Sequence, residues 1–246
     1  MCGIYGFYGK PKNAEALIKN LAIETEIRGK DSTGYFIVTP DDYKISKWAV
    51  SATDFYSHDD YKKDLEDATI FIGHNRAKSI GETTNINAHP FVGKRYALVH
   101  NGTCKQAIID ADQKGLKRIG TTDSEAILAN IENEGIDYIS KCYSYSVVVY
   151  DMLTETIYFS RDNSKPMWIF KVEGATIFSS TKKIGLKAIE KSGIKIKSSK
   201  RLVANRLYRN FKIVKKWKPV SSGKAKKPTK GFWARNYKNQ MVVYGD

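Results

Sequence analysis

The chain has 246 residues, 41% hydrophobic and 12% aromatic, and its 41 Lys and Arg against 26 Asp and Glu give a formal net charge of +15. That apolar content excludes a wholly disordered chain. The charge is uneven: residues 182–246 hold 20 basic residues against Glu190 and Asp246, which leaves 1–181 at −3 and the remainder at +18. No stretch approaches the roughly 18 apolar residues of a membrane span, and the start MCGIYGFYGKPKNAE introduces charge too early for a signal peptide, so a cytoplasmic protein is expected. Cys2, Cys104 and Cys142 are odd in number and lack CxxC spacing, which suggests neither a disulfide framework nor a zinc ribbon.

The apolar run from Gly3 to Tyr8, closed by Gly9 and Pro11, predicts a buried strand. Asn13 offers an N-cap to a helix in which Leu17, Ile18, Leu21 and Ala22 recur at helical spacing until Gly29. Tyr35 to Thr39 and Lys44 to Val50 predict a strand pair turning at Pro40-Asp41-Asp42. Strands follow at Ala68–Gly73 and Tyr96–His100. A helix is expected over Thr122–Gly135, with Thr122 and Glu125 at capping-box spacing. Four closely spaced strands of meander type come next, at Ser144–Asp151, Thr156–Arg161, Met167–Val172 and Ala175–Ser179. A helix at Lys182–Lys191 and short strands near Leu202–Leu207 and Phe211–Trp217 complete a first unit, residues 1–218, before a basic tail at 219–246.

Removal of Met1 would leave Cys2 with both a thiol and a free α-amine, whose pKa near ~8 makes it a usable base at neutral pH. Alone, position 2 reads first as a small buried residue. The strand behind it pins the terminus, however, and five polar clusters sit at element ends: Arg28-Gly29-Lys30-Asp31-Ser32, Gly73-His74-Asn75-Arg76, Asn87-Ala88-His89-Pro90-Phe91, His100-Asn101-Gly102 and Thr122-Asp123-Ser124-Glu125.

In this order, behind Cys2-Gly3-Ile4, these clusters resemble the class II glutamine amidotransferase domain, the N-terminal-nucleophile (Ntn) hydrolase type found in glucosamine-6-phosphate synthase and amidophosphoribosyltransferase. The resemblance spans Cys2 to Arg161 and extends more loosely to Trp217. It implies an α+β fold, a four-layer αββα sandwich. It implies Cys2 as nucleophile, Asn101 and Gly102 as the oxyanion-hole pair, and Arg76 and Asp123 as the clamp on glutamine. Arg28 matches the arginine of the family's RGxDSxG segment near the nucleophile. The chemistry agrees with those roles. Zwitterionic glutamine needs a cation for its carboxylate and an anion for its ammonium. A donor fixed on the developing oxyanion is worth about 3 kcal/mol. The implied reaction releases ammonia and leaves a γ-glutamyl thioester for water to hydrolyse.

Each cluster has a plainer reading: Asn101-Gly102 as a turn, Arg28 as a helix C-terminal charge, Asp123 as a residue stabilised by a helix dipole. After Arg76 the sugar-synthase branch has Trp, Ala, Thr and His, where this chain has Ala77, Lys78, Ser79 and Ile80; Ser79 keeps a hydroxyl for substrate binding, and Ile80 replaces an imidazole. His58, His74, His89 and His100 have no metal-ligand spacing, so neither metal nor cofactor is expected; His89, Cys104 and Cys142 read as structural. L-glutamine is the expected substrate and a separate ammonia-accepting synthase the expected partner, since only 65 residues follow Thr181. The segment from Lys212 to Lys238 mixes Lys and Arg with Trp217, Phe232, Trp233 and Tyr237, which suits nucleic acid, although a solvated or partner-docking tail ranks above it. An Ntn hydrolase for another amide, and a non-catalytic basic binding protein on the same scaffold, stay open.

Overall fold

Side-chain alternation in the strands sets the layers. In β1 (Gly3–Gly9) Tyr5 and Phe7 join one core while Ile4 joins another. In β4 (Ile70–Arg76) Phe71 goes with Tyr5, and Ile70 and Ile72 with Ile4. Such a sheet is apolar on both faces and must be covered on both. The structure, a computed structural model, describes residues 1–58 and 60–220.

The first sheet has seven strands. β1 pairs antiparallel with β4 and with β10 (Ala175–Ser179); β4 pairs onward with β2 (Ser32–Val38), which pairs with β3 (Tyr43–Trp48). On the other side, β10 pairs with β9 (Trp168–Lys171) and β9 with β11 (Ser198–Arg201). The second sheet has six strands in the order β13 (Lys212–Lys216), β12 (Arg206–Arg209), β8 (Thr156–Arg161), β7 (Tyr145–Asp151), β6 (Tyr96–Gly102), β5 (Phe91–Val92).

Between the sheets lies an apolar layer that includes Ile4, Phe36, Ile72, Val99, Val148, Phe159 and Phe178. Outside the first sheet, α1 (Ala14–Thr25) and α6 (Lys182–Lys191) pack on each other through Leu17, Leu21, Ala188 and Ile189. Outside the second, α4 (Lys105–Gln113) and α5 (Asp123–Glu134) supply Ala107, Ala111, Ile127 and Ile131. The result is the expected four-layer αββα sandwich. Each fully buried Tyr or Phe in these layers contributes roughly 2–3 kcal/mol of apolar burial.

Several local expectations change. The predicted meander does not form one sheet: β7 and β8 belong to the second and β9 and β10 to the first, because the chain crosses the sandwich at 162–167. Asn13 does precede α1, but it adopts left-handed backbone (φ 52°) and its side chain donates to Ser192 O instead of capping. α1 ends at Thr25, and a 3-10 turn (Glu26–Arg28) carries the chain to Gly29. Thr122 Oγ1 accepts Glu125 N–H as predicted, while the Glu125 carboxylate reaches Ile119 N and Gly120 N instead of closing a capping box. The short helices α2 (Ala52–Phe55) and α3 (Asp60–Leu65), together with α4, β5 and β11, carried too little periodicity to be read; α4 buries only two alanines. Cys104 and Cys142 are buried free thiols, as expected. From residue 221 onward the basic tail lies outside the described residues. Among the described residues no helix is long and apolar enough to cross a membrane.

Candidate active site

Antiparallel register brings the polar clusters to one end of the first sheet. Gly3 at the start of β1 pairs with Asn75 at the end of β4, and Ser32 at the start of β2 pairs with Arg76. Cys2 therefore lies beside the chain that leaves β4. Its Sγ accepts Ala77 N–H at 3.3 Å and is 3.4 Å from Ala77 O, and Arg28 Nε donates to Cys2 O at 2.7 Å. Arg28 thus fixes the backbone at Cys2.

The RGKDS segment braces the same place. Asp31 N donates to Arg76 O, and the Asp31 carboxylate accepts Lys78 N–H at 2.6 Å. Gly29 is extended, but a Cβ there would sit 2.4 Å from Arg76 C and 2.5 Å from Ala77 N, so only glycine lets the two segments touch.

Arg76 is nearly fully buried. Its Nη1 donates to Glu82 O at 3.0 Å, and its Nη2 to Ile80 O at 2.6 Å and Gly81 O at 3.3 Å, so the guanidinium folds the following loop around itself. Asn87 closes that loop from the far side, donating to Glu82 O and accepting Thr121 N–H. Ser79 lies exposed on this loop. Asp123 opens α5 in the turn capped by Thr122, and its Oδ2 accepts Cys104 N–H at 2.7 Å. Burial is the main influence on the Cys2 thiol and raises its pKa. The Ala77 N–H and the Arg76 charge pull it down, and Asp123 pushes it up, so both charges lie within Coulombic reach of the sulfur. Burial likewise lowers the pKa of Arg28 and of Arg76.

Asn101 and Gly102 end β6 in the other sheet. Asn101 Nδ2 donates to Ser180 Oγ at 2.8 Å, and Ser180 Oγ also accepts Ile4 N–H at 2.8 Å. Gly102 has φ +152°, and a Cβ would lie 2.1 Å from Ser144 O, so the position demands glycine. Beneath them His74 and His89 stack at 3.9 Å, His74 Nε2 meets His100 O, and His100 Nδ1 meets Ser124 Oγ. Burial lowers the pKa of all three, that of His74 to about 3, so they are neutral at pH 7.

Cys2, Arg28, Arg76, Asn101, Gly102 and Asp123 therefore converge on one end of the sandwich, with Ser79 at its solvent edge. Ser180 and the Ala77 N–H escaped the sequence reading: a serine closing a strand carries no signal of what it will face, and a backbone donor carries none at all. No three His, Cys, Asp or Glu side chains among the described residues are grouped to hold a metal ion.

The family described as a glutamine amidotransferase domain matches residues 49–233, about three quarters of the chain. The chain belongs to the glutamine amidotransferase family. The glutamine–fructose-6-phosphate aminotransferase of Shouchella clausii is 29% identical over 206 residues, covering 73% of this chain and 32% of its own length. A second aminotransferase of that name, from Leifsonia xyli, is 35% identical over 104 residues, 42% of this chain and 17% of its own. This amidotransferase chain spans about a third or less of the curated relatives it matches. The glutamine phosphoribosylpyrophosphate amidotransferase of B. subtilis superposes with a TM-score of 0.67 at 17% identity, covering 85% of this chain and 47% of its own, a likeness of fold.

Proposed function

We propose that this chain hydrolyses L-glutamine to glutamate and ammonia through a thioester on Cys2, with the ammonia passed to a synthase that supplies the acceptor. The observation that carries the reading is the position of the Cys2 sulfur: it rests on the Ala77 N–H, within Coulombic reach of one buried cation, Arg76, and one buried anion, Asp123. That pair matches the α-carboxylate and α-ammonium of a free amino acid.

Removal of Met1 would expose the α-amine of Cys2, which then takes the thiol proton and returns it to the departing ammonia. Attack by sulfur on the side-chain amide carbon places negative charge on the amide oxygen, where an Asn101 N–H and the Gly102 N–H would stabilise it. Collapse breaks the carbon–nitrogen bond. Water, deprotonated by the same amine, then cleaves the thioester. Arg28 holds the Cys2 carbonyl still throughout, and Ser79 offers a hydroxyl at the mouth of the substrate loop.

Intact-mass measurement after incubation with a glutamine-like diazoketone tests the proposal. The expected product has lost Met1 and gained one adduct, absent from Cys2→Ala. A protein that retains Met1, stays unlabelled and releases no glutamate from glutamine refutes it. Release of ammonia from a different γ-amide, with none from glutamine, would transfer the site to that substrate.

A further inference from the structure

Much of the positive charge of the C-terminal quarter is folded into the sandwich. Between 182 and 220, fourteen Lys and Arg stand against one acidic residue, Glu190. Thirteen of the fourteen are exposed and Arg206 is half-buried. Among the described residues only three of them have carboxylate partners: Lys187 and Lys191 share Glu24, and Lys215 meets Asp137.

Five of the fourteen occupy the edge strands of one flank. β11 is one edge strand of the first sheet and β13 one edge strand of the second. The connection between β11 and β12 ties this side of the two sheets together: Leu202 N donates to Met167 O before β9, Asn205 N donates to Arg161 O in β8, and Arg161 Nη1 donates to Leu202 O at 3.1 Å, with β13 one strand beyond β12. Leu202 and Tyr208 fill the layer between the sheets there. All four residues of β11 and all five of β13 are exposed. The flank therefore presents Lys200 and Arg201 on one edge and Lys212, Lys215 and Lys216 on the other, with the hydroxyls of Ser198 and Ser199 beside them.

The composition decides the partner class. Protein interfaces are depleted in Lys and centre on buried aromatic anchors, whereas this face is Lys-rich and its two edges carry only Ile213 and Val214 as large apolar side chains. Phosphates are met by Lys, Arg and Ser side chains and by backbone N–H groups, which open strand edges supply. Base stacking is not offered by Trp217, which packs against the core and donates its Nε1–H to Tyr145 OH. We propose that this flank binds the phosphate backbone of a nucleic-acid strand without base selectivity, a function independent of the glutamine site.

Fluorescence anisotropy of a labelled 30-nucleotide single strand with the full chain, titrated across salt, tests this. Tight binding is expected, with a slope of log K against log salt of about −3 or steeper, as contact with four or more phosphates requires. The variant K200E/R201E/K212E/K216E is expected to bind at least about thirtyfold more weakly at the same salt, with unchanged thermal unfolding and glutamine turnover. Absence of salt-dependent binding overturns the proposal, as does a charge-reversed variant that binds like the parent. Competition by poly-L-glutamate as effective as that by unlabelled strand, at equal charge, overturns it in favour of an acidic protein partner.

Discussion

Asn101 Nδ2 donates to Ser180 Oγ at 2.8 Å across the interface between the two sheets, and the same hydroxyl accepts Ile4 N–H. Ser180 follows β10 in the first sheet and Asn101 lies in β6 of the second, so one fully buried oxygen ties the proposed oxyanion donor to the strand that carries Cys2. In a layer that is otherwise mostly apolar this bond has no water to compete with it, and it fixes the orientation of the carboxamide.

Ser180→Ala should therefore lower kcat for glutamine about tenfold with KM nearly unchanged, since loss of an oxyanion donor outright costs roughly 10²–10³ and here the donor is only loosened. Steady-state glutaminase assays check the split. Labelling of Cys2 by an alkylating reagent that builds no oxyanion should proceed at the parental rate.

Arg76 folds the 80–82 loop, and under the proposed function it also faces the substrate carboxylate. Arg76→Lys keeps a charge but cannot span Ile80, Gly81 and Glu82 carbonyls. KM for glutamine should rise about 10–100-fold, the range of one or two charge-assisted hydrogen bonds. An analogue lacking the α-carboxylate should lose far less between parent and variant. Equal losses would make Arg76 a loop-folding residue alone.

Gly102→Ala places a methyl 2.1 Å from the Ser144 carbonyl oxygen, on backbone at φ +152°. At least about 2 kcal/mol of destabilisation is expected, a fall of roughly 5 °C in Tm. Thermal unfolding measures it, and glutamine turnover should fall further than stability alone explains, because the shifted backbone would misdirect the Gly102 N–H.

The buried histidines make stability depend on acid. The pKa values of His74, His89 and His100 are depressed by burial, with the Arg76 charge nearby acting on His74 and His89 and Lys47 on His89. A depressed folded pKa means the unfolded chain binds more protons below about pH 6.5. The stabilisation is therefore complete above that pH and lost as pH falls toward the folded values, by up to about 1.4 kcal/mol per pH unit for each ring. Urea midpoints at pH 7.5 and 5.5 should differ steeply, and His89→Phe should flatten the difference. A pH-independent midpoint would place water or charge where these rings now stack.

The sequence by itself determined the principal strands and the helix faces, since apolar runs such as Gly3–Tyr8 and the helical spacing of Leu17, Ile18, Leu21 and Ala22 follow from which atoms must leave water. It also supplied the candidate residues Cys2, Arg76, Asn101, Gly102 and Asp123, through the joint order of their clusters behind Cys2-Gly3-Ile4 and the resemblance that order carries, since each position alone has a plainer reading. Only the tertiary structure decided that β8 and β9, neighbours in sequence, belong to different sheets, that Ser180 reaches Asn101 across 79 positions, and that the Glu125 carboxylate turns to Ile119 and Gly120. It decided too that five basic residues of the C-terminal quarter, Lys200, Arg201, Lys212, Lys215 and Lys216, lie on edge strands of the two sheets and not in the tail. The physical reason is the same in each case. Local pattern specifies which face of an element is buried, whereas the partner it is buried against is chosen by long-range packing, which leaves no periodic trace in the chain.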